Sequence, residues 1–323
     1  MSSAGTAPPQ AWAPIPQPFR DPVLPDRVRV HEVGPRDGLQ AEDAFVPTSM
    51  KAEFCRRLVA AGVSSLEVTS FVSPRWVPQL ADAEELVREL ALPGAVRQVV
   101  LTPNLRGLER ALAVGAHEVA VFVSATETFA RRNLGSTVRG AMDAARPVVS
   151  GARSAGVPTR GYVSMCFGDP WEGPVEPALV AGVAAELMAA GCTSVSLGDT
   201  IGVATPGHVR AVIDEIVRAG VPVDAIACHF HDTYGQALAN VHAALIAGVT
   251  EFDSSAGGLG RCPYAKGATG NLATEDLVWM LHGLGIHTGI DLAALCDVSH
   301  WMAGRIGHPV PSRVATALLA ARS

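Results

Sequence analysis

From Val28 onward, short runs rich in β-branched residues alternate with longer Ala, Leu and Val segments whose apolar positions recur at helical spacing. The runs Val28 to Val33, Ser65 to Thr69, Arg97 to Thr102, Glu118 to Ser124, Thr159 to Met165, Ser194 to Asp199, Ala225 to His231 and Glu251 to Ser255 read as eight strands. Helices are expected between them: Met50 to Ala61 after Pro47-Thr48, His208 to Ala219 after Thr205-Pro206, and Ala273 to Leu284 after Asn271. Proline is tolerated near a first helical turn because that N–H has no intrahelical partner. Several helical segments stop on glycine, as in Ala61-Gly62 and Ala190-Gly191, where a left-handed residue closes the helix.

Eight βα units predict an α/β fold of the (β/α)8 TIM-barrel type. An open doubly wound sheet would show about five or six strands and a GxGxxG loop after the first strand, and that loop is absent. The division expected is a short irregular Pro-rich arm over 1–27, with seven prolines, a catalytic barrel over 28–290, and a C-terminal helical extension over 291–323 with two extra helices. A length of 323 residues alone would suggest two domains, but no linker splits the repeat.

With 48% hydrophobic residues the chain can bury a large core, which excludes disorder. The net charge of −6 and the absence of any Lys/Arg-rich block argue against a nucleic-acid partner. No membrane span is expected, since the most apolar stretch, Ala178 to Ala190, is short and carries Glu186. Six cysteines without a CxxC pair indicate a reducing compartment, and the arm has no apolar or Arg-rich targeting face, so the expected location is cytoplasmic.

In a barrel of this kind the active site lies at the carboxyl ends of the strands. Chemically capable residues gather at those ends: Glu32 to Gly38, Glu67 to Ser70, Ser196 to Thr200 and His229 to Asp232. His229 and His231 are two apart on a strand, so both point to one side and can reach one ion; otherwise they are packed histidines of the barrel mouth. Strands 1, 7 and 8 are adjacent in a closed barrel, which brings Asp37 and Asn271 to the same place. Two imidazoles, a carboxylate and an amide oxygen suit octahedral Mg²⁺ or Mn²⁺ better than a closed zinc site. Arg36, after the rigid Gly34-Pro35, is either a surface ion-pair partner of Asp37 or a guanidinium held over the mouth for a developing oxyanion. The glycine-rich loop from Gly257 to Asn271 is a lid candidate that carries Arg261, Cys262 and Lys266.

The blocks Glu32 to Gln40, Glu67 to Gln79, Ser196 to Gly202, His229 to Asn240 and Gly260 to Glu275 closely resemble the 3-hydroxy-3-methylglutaryl-CoA lyase family, in order and in register from Val28 to Gly289. The resemblance implies a divalent-metal-dependent carbon–carbon lyase. Its substrate would be an acyl-CoA thioester, cleaved to acetoacetate and acetyl-CoA as in leucine degradation, and the chain would be a homodimer. It further implies Asp37, His229, His231 and Asn271 as metal ligands, with Arg36, Asp37, Glu67, His231 and Cys262 as catalytic residues. Arg36 would stabilise the enolate and Cys262 would transfer a proton. Gln40, Arg160, Asp199, Thr200 and Glu275 would bind substrate. The cysteine-bearing lid separates these lyases from the acyl-transferring synthases of similar barrel, which are the alternative. Arg261, Ala41 and the loop from Met165 to Pro170 depart from many relatives, which leaves room for a larger 3-hydroxy-3-alkylglutaryl thioester.

Overall fold

A computed structural model describes residues 16–43, 45–260, 270–309 and 311–322. Eight parallel strands close on themselves in sequence order: β1 (Arg29–Glu32), β2 (Ser65–Ser70), β3 (Arg97–Leu101), β4 (Glu118–Ser124), β5 (Thr159–Ser164), β6 (Ser194–Asp199), β7 (Ile226–Phe230) and β8 (Glu251–Ser254). Closure is made by β1 on β8, with Arg29 opposite Glu251 and Glu32 opposite Ser254. This is the TIM barrel expected from the alternation. Helices lie between the strands, and two more, Leu292–Ile306 and Arg313–Ala320, follow them as anticipated.

The main core sits between the outer faces of the strands and the helices, where Val68, Leu58, Leu187, Ile213, Phe252 and Leu277 are wholly or almost wholly buried. Parallel strands covered on the outside by helices must bury apolar side chains there, which explains their Val- and Leu-rich reading. Helix ends follow the glycine pattern: Gly62 and Gly191 take φ of +96° and +113°, values open to glycine at little cost.

The inside of the barrel departs from the usual stack of branched apolar side chains. One small apolar group, Val99, Leu101, Ala120 and Tyr162 with Phe122 against it, occupies part of it. Much of the remainder is ionic. Arg97 pairs with Glu118 and, at 2.8 Å, with Glu251; Arg160 pairs with Glu251 and Asp253; Arg29 reaches Glu251 at 2.9 Å. Buried charges persist only when each has a counter-charge and hydrogen bonds. Arg97 and Arg160 against Glu118, Glu251 and Asp253 meet that condition along the barrel floor, and Arg29, more than half exposed, adds a contact at the rim.

Candidate metal and oxyanion site

At the carboxyl end of β1 the chain makes one wide turn, Gly34–Gly38, in which the N–H groups of Arg36, Asp37 and Gly38 all point at the Val33 carbonyl, at 3.1, 2.7 and 3.2 Å. Single turns of this π type recur at functional sites because they swing a side chain off the regular helical face. Here the turn directs Arg36 and Asp37 to the barrel mouth. On β2 the register against β3 slips between Glu67 and Thr69, a bulge of the kind that re-aims a side chain. Glu67, fully buried, receives Arg36 Nε at 2.6 Å and Nη2 at 2.5 Å, while Arg36 Nη1 lies 2.6 Å from Asp37 Oδ1.

His229 lies on β7 and His231 just beyond it, and alternation turns both rings inward, 5.2 Å apart between centroids. The fourth residue arrives by a different route. Segment 270–273 returns across the ends of β7 and β8: Asp232 N donates to Gly270 O at 2.8 Å, Leu272 N to Phe230 O at 3.1 Å, and Ser255 N to Leu272 O at 2.9 Å. This extension sets Asn271 opposite His231. Asn271 Nδ2 donates to Asp37 Oδ2 at 2.9 Å and to Leu259 O at 3.0 Å. Gly260, with φ of +113°, leaves the room Asn271 needs, since a Cβ there would stand 2.5 Å from Nδ2.

One donor atom each from Asp37, His229 and His231 lies within 4.8 Å of the other two. His231 Nδ1 and Asn271 Oδ1 are buried with no hydrogen-bond partner, an arrangement that costs free energy unless a cation or water satisfies it. The residues present therefore fit a cation of mixed N/O preference. Electrostatics agree. Burial alone would raise the Asp37 carboxyl, but Arg36 and His229 hold it down at about 2. Burial, aided by His229, lowers His231 to about 4, so its imidazole is neutral and able to ligate. Burial also lowers His229, but Asp253 and Asp37 outweigh it and leave the ring above its ordinary value.

The residues expected to bind substrate divide. Gln40 is half-buried just past the β1 turn, and Thr200 is half-buried at the end of β6 with its hydroxyl accepting from Met165 N at 2.9 Å. Met165 itself has φ of +59°, a non-glycine residue held in the left-handed region beside the site. Asp199 is at the mouth but turned to its own loop, accepting from Val203 N at 2.9 Å and Ala204 N at 3.2 Å; burial raises it to about 7. Two others lie away from the mouth's open surface. Arg160 begins β5 at the opposite end of the barrel and is fully buried on Glu251 and Asp253, and Glu275 is fully buried with Gly257 N and Ser299 Oγ as its donors. Neither has exposed surface. Cys262, with Arg261 and Lys266, lies outside the described residues.

Two residues were missed. Asp253, on β8 behind His229, and Tyr162, whose buried hydroxyl has no hydrogen-bond partner, both line the interior. The signal for Asp253 was present: Glu251 and Asp253 alternate with Phe252, and acidic residues on the inward face of a barrel strand require partners or a task. The five described cysteines, Cys55, Cys166, Cys192, Cys228 and Cys296, are unpaired and buried. Burial pushes Cys55, Cys192 and Cys296 up to about 12, so these three are core thiols.

Residues 27–302 match the family model described as HMGL-like. The mitochondrial hydroxymethylglutaryl-CoA lyase of Arabidopsis thaliana is 51% identical over 91% of this chain, which spans 63% of that protein's length. A Pseudomonas aeruginosa 3-hydroxy-3-isohexenylglutaryl-CoA/hydroxy-methylglutaryl-CoA lyase is 49% identical over 92% of this chain and 99% of its own. A crystal structure of a Pseudomonas aeruginosa hydroxymethylglutaryl-CoA lyase superposes with a TM-score of 0.90 at 48% identity, covering 92% of this chain and 99% of the other. With a barrel and strand-end residues of this kind, and a family model that spans most of its length, the chain belongs to the HMGL-like family.

Proposed function

We propose that this protein is a divalent-cation-dependent carbon–carbon lyase that cleaves 3-hydroxy-3-methylglutaryl-CoA to acetoacetate and acetyl-CoA. The observation that carries it is the convergence of Asp37, His229 and His231 beside a buried, fixed Arg36. Asp37, His229, His231 and Asn271 would hold Mg²⁺ or Mn²⁺; when bound, the cation neutralises charge on substrate oxygens and lowers the pKa of the C3 hydroxyl.

In the cleavage the C3 hydroxyl loses its proton, the C2–C3 bond breaks, its electron pair passes to the acetyl thioester as an enolate, and C2 then takes a proton. Arg36 commits three of its five N–H groups to Glu67 and Asp37, which leaves two for the enolate oxygen. A guanidinium stabilises that charge without surrendering a proton. Glu67 locks its orientation, so no reorganisation is needed when the charge develops. Asp37, held at about 2, is matched to ligation and is a weak base near neutrality. Cys262 remains the proton-transfer residue in this proposal on its sequence position alone.

The name of the Pseudomonas relative supports a second reading, in which the pocket also accepts a longer 3-alkyl group. Steady-state kinetics on both thioesters test the choice: the primary reading expects the higher kcat/KM with the 3-methyl substrate, and a preference for the isohexenyl substrate would reverse it. The proposal also holds that the enzyme is a cytoplasmic homodimer. No helix among the described residues is long and apolar enough to cross a membrane, and light scattering of the purified chain checks the dimer.

A further inference from the structure

We propose that Asp253 is a positioning residue for His229, and that Arg160 and Ser196 hold Asp253 in that task from inside the barrel. The inference rests on reading Asp37, His229 and His231 as a cation site. His229 and Asp253 are register partners on β7 and β8. Asp253 Oδ2 stands 3.4 Å from His229 Nδ1, which is buried with no hydrogen-bond partner of its own, and accepts from Ser196 Oγ at 2.9 Å. Its other oxygen, Oδ1, receives Arg160 Nη2 at 2.5 Å. Asp253 and Arg160 have no exposed side-chain surface.

A buried ion pair is a poor way to stabilise a fold, because apolar residues of similar volume would do as well or better. A barrel interior is ordinarily filled with such residues. The placement has a clearer use. An imidazole that ligates through one nitrogen needs its other N–H oriented, and a carboxylate behind it fixes ring and tautomer while raising ligand basicity. With Nδ1 facing Asp253, the Nε2 edge of His229 is the one free to turn toward Asp37 and His231. Arg160 and Ser196 each fix one carboxylate oxygen, so the carboxylate plane cannot rotate. The chain of pairs continues through Glu251 to Arg97 and Glu118, so that each charge on the way down has an opposite partner.

The test is Mn²⁺ binding to the full-length, EDTA-stripped chain, followed by the electron paramagnetic resonance signal of free Mn²⁺. Asp253→Asn keeps the side-chain shape and removes the charge, and it should weaken Mn²⁺ by roughly 10- to 100-fold. Ser196→Ala, which leaves every ion pair in place, should fold normally and weaken binding by a smaller factor. Wild-type affinity in Asp253→Asn would overturn the proposal. Asp37→Ala separates this failure from failure of the cation site: if it too binds Mn²⁺ like the wild type, the cation-site reading falls and takes the proposal with it. A measurement without variants stands beside these. Nitrogen-15 shifts of His229 in the Mg²⁺-saturated wild-type chain should show the proton on Nδ1, and a proton on Nε2 would overturn the proposal whatever the variants do.

Discussion

Replacing Arg36 by glutamine removes a charge from two places at once, and the structure separates the consequences. For the reaction, the loss is that of one fixed donor to a developing oxyanion, on the order of 10² to 10³ in kcat, or about 2.7 to 4 kcal/mol. For the fold, Glu67 is fully buried and takes its counter-charge from Arg36, and breaking a buried pair from one side costs about 3 to 5 kcal/mol. Arg36→Gln is therefore expected to lower Tm as well as kcat, a cost that the sequence, with Arg36 at an exposed strand end, gave no reason to expect. The destabilisation has a pH signature. Burial already raises the Glu67 carboxyl, against the pull of Arg36, and without the guanidinium it rises further. A carboxyl raised in the folded state gives its full stability below its unfolded value and loses it as pH rises through the folded value. The Tm gap between variant and wild type should accordingly be wider at mildly alkaline pH than at a pH in the ordinary carboxylate range. Steady-state kinetics at saturating Mg²⁺ and thermal unfolding at the two pH values measure both effects. Turnover close to wild type would refute the oxyanion role, and a Tm gap equal at both pH values would refute the buried-charge argument.

Three further outcomes follow from other parts of the molecule. Gly260→Ala forces a Cβ to 2.5 Å from Asn271 Nδ2 at a backbone angle hostile to alanine; Mn²⁺ affinity should fall with the overall fold retained, and unchanged affinity would remove Asn271 from the cation site. Glu275, raised to about 8 by burial, should make the wild-type chain lose stability as pH climbs from the ordinary carboxylate range through about 8; Glu275→Gln should flatten that decline in Tm, and an unaltered slope would contradict it. Arg160→Gln should cost about 3 to 5 kcal/mol of stability and weaken the cation through Asp253, but at saturating Mg²⁺ the KM for the thioester should stay at the wild-type value; a raised KM there at unchanged Tm would restore Arg160 to the substrate site.

The architecture was legible because each strand advertises itself by a β-branched run and each helix by its period, its proline start and its glycine stop. The mouth was legible too, since His229 and His231 alternate onto one face and Asp37 follows the adjacent first strand. The detail of who holds whom was not. That Glu67 grips Arg36 depends on a bulge in β2, and that Asn271 reaches Asp37 depends on a segment that crosses back over β7 and β8. Neither leaves a periodic trace. The burial of Arg160 and Glu275 was hidden for a related reason: a charged residue in a barrel strand or at a helix start leaves no sequence sign of its depth, which sets Arg160 in buried ion pairs and Glu275 on the Gly257 N–H and the Ser299 hydroxyl. Asp253 was overlooked by the same lack of depth.

The measurement that bears most directly on the proposed activity is a product balance. The purified chain, given (S)-3-hydroxy-3-methylglutaryl-CoA, should release acetyl-CoA and acetoacetate in equal amounts, stop when EDTA removes the cation, and resume when Mg²⁺ is restored. A folded, cation-loaded chain that leaves the thioester intact, or consumes it without releasing the keto acid, would contradict the account.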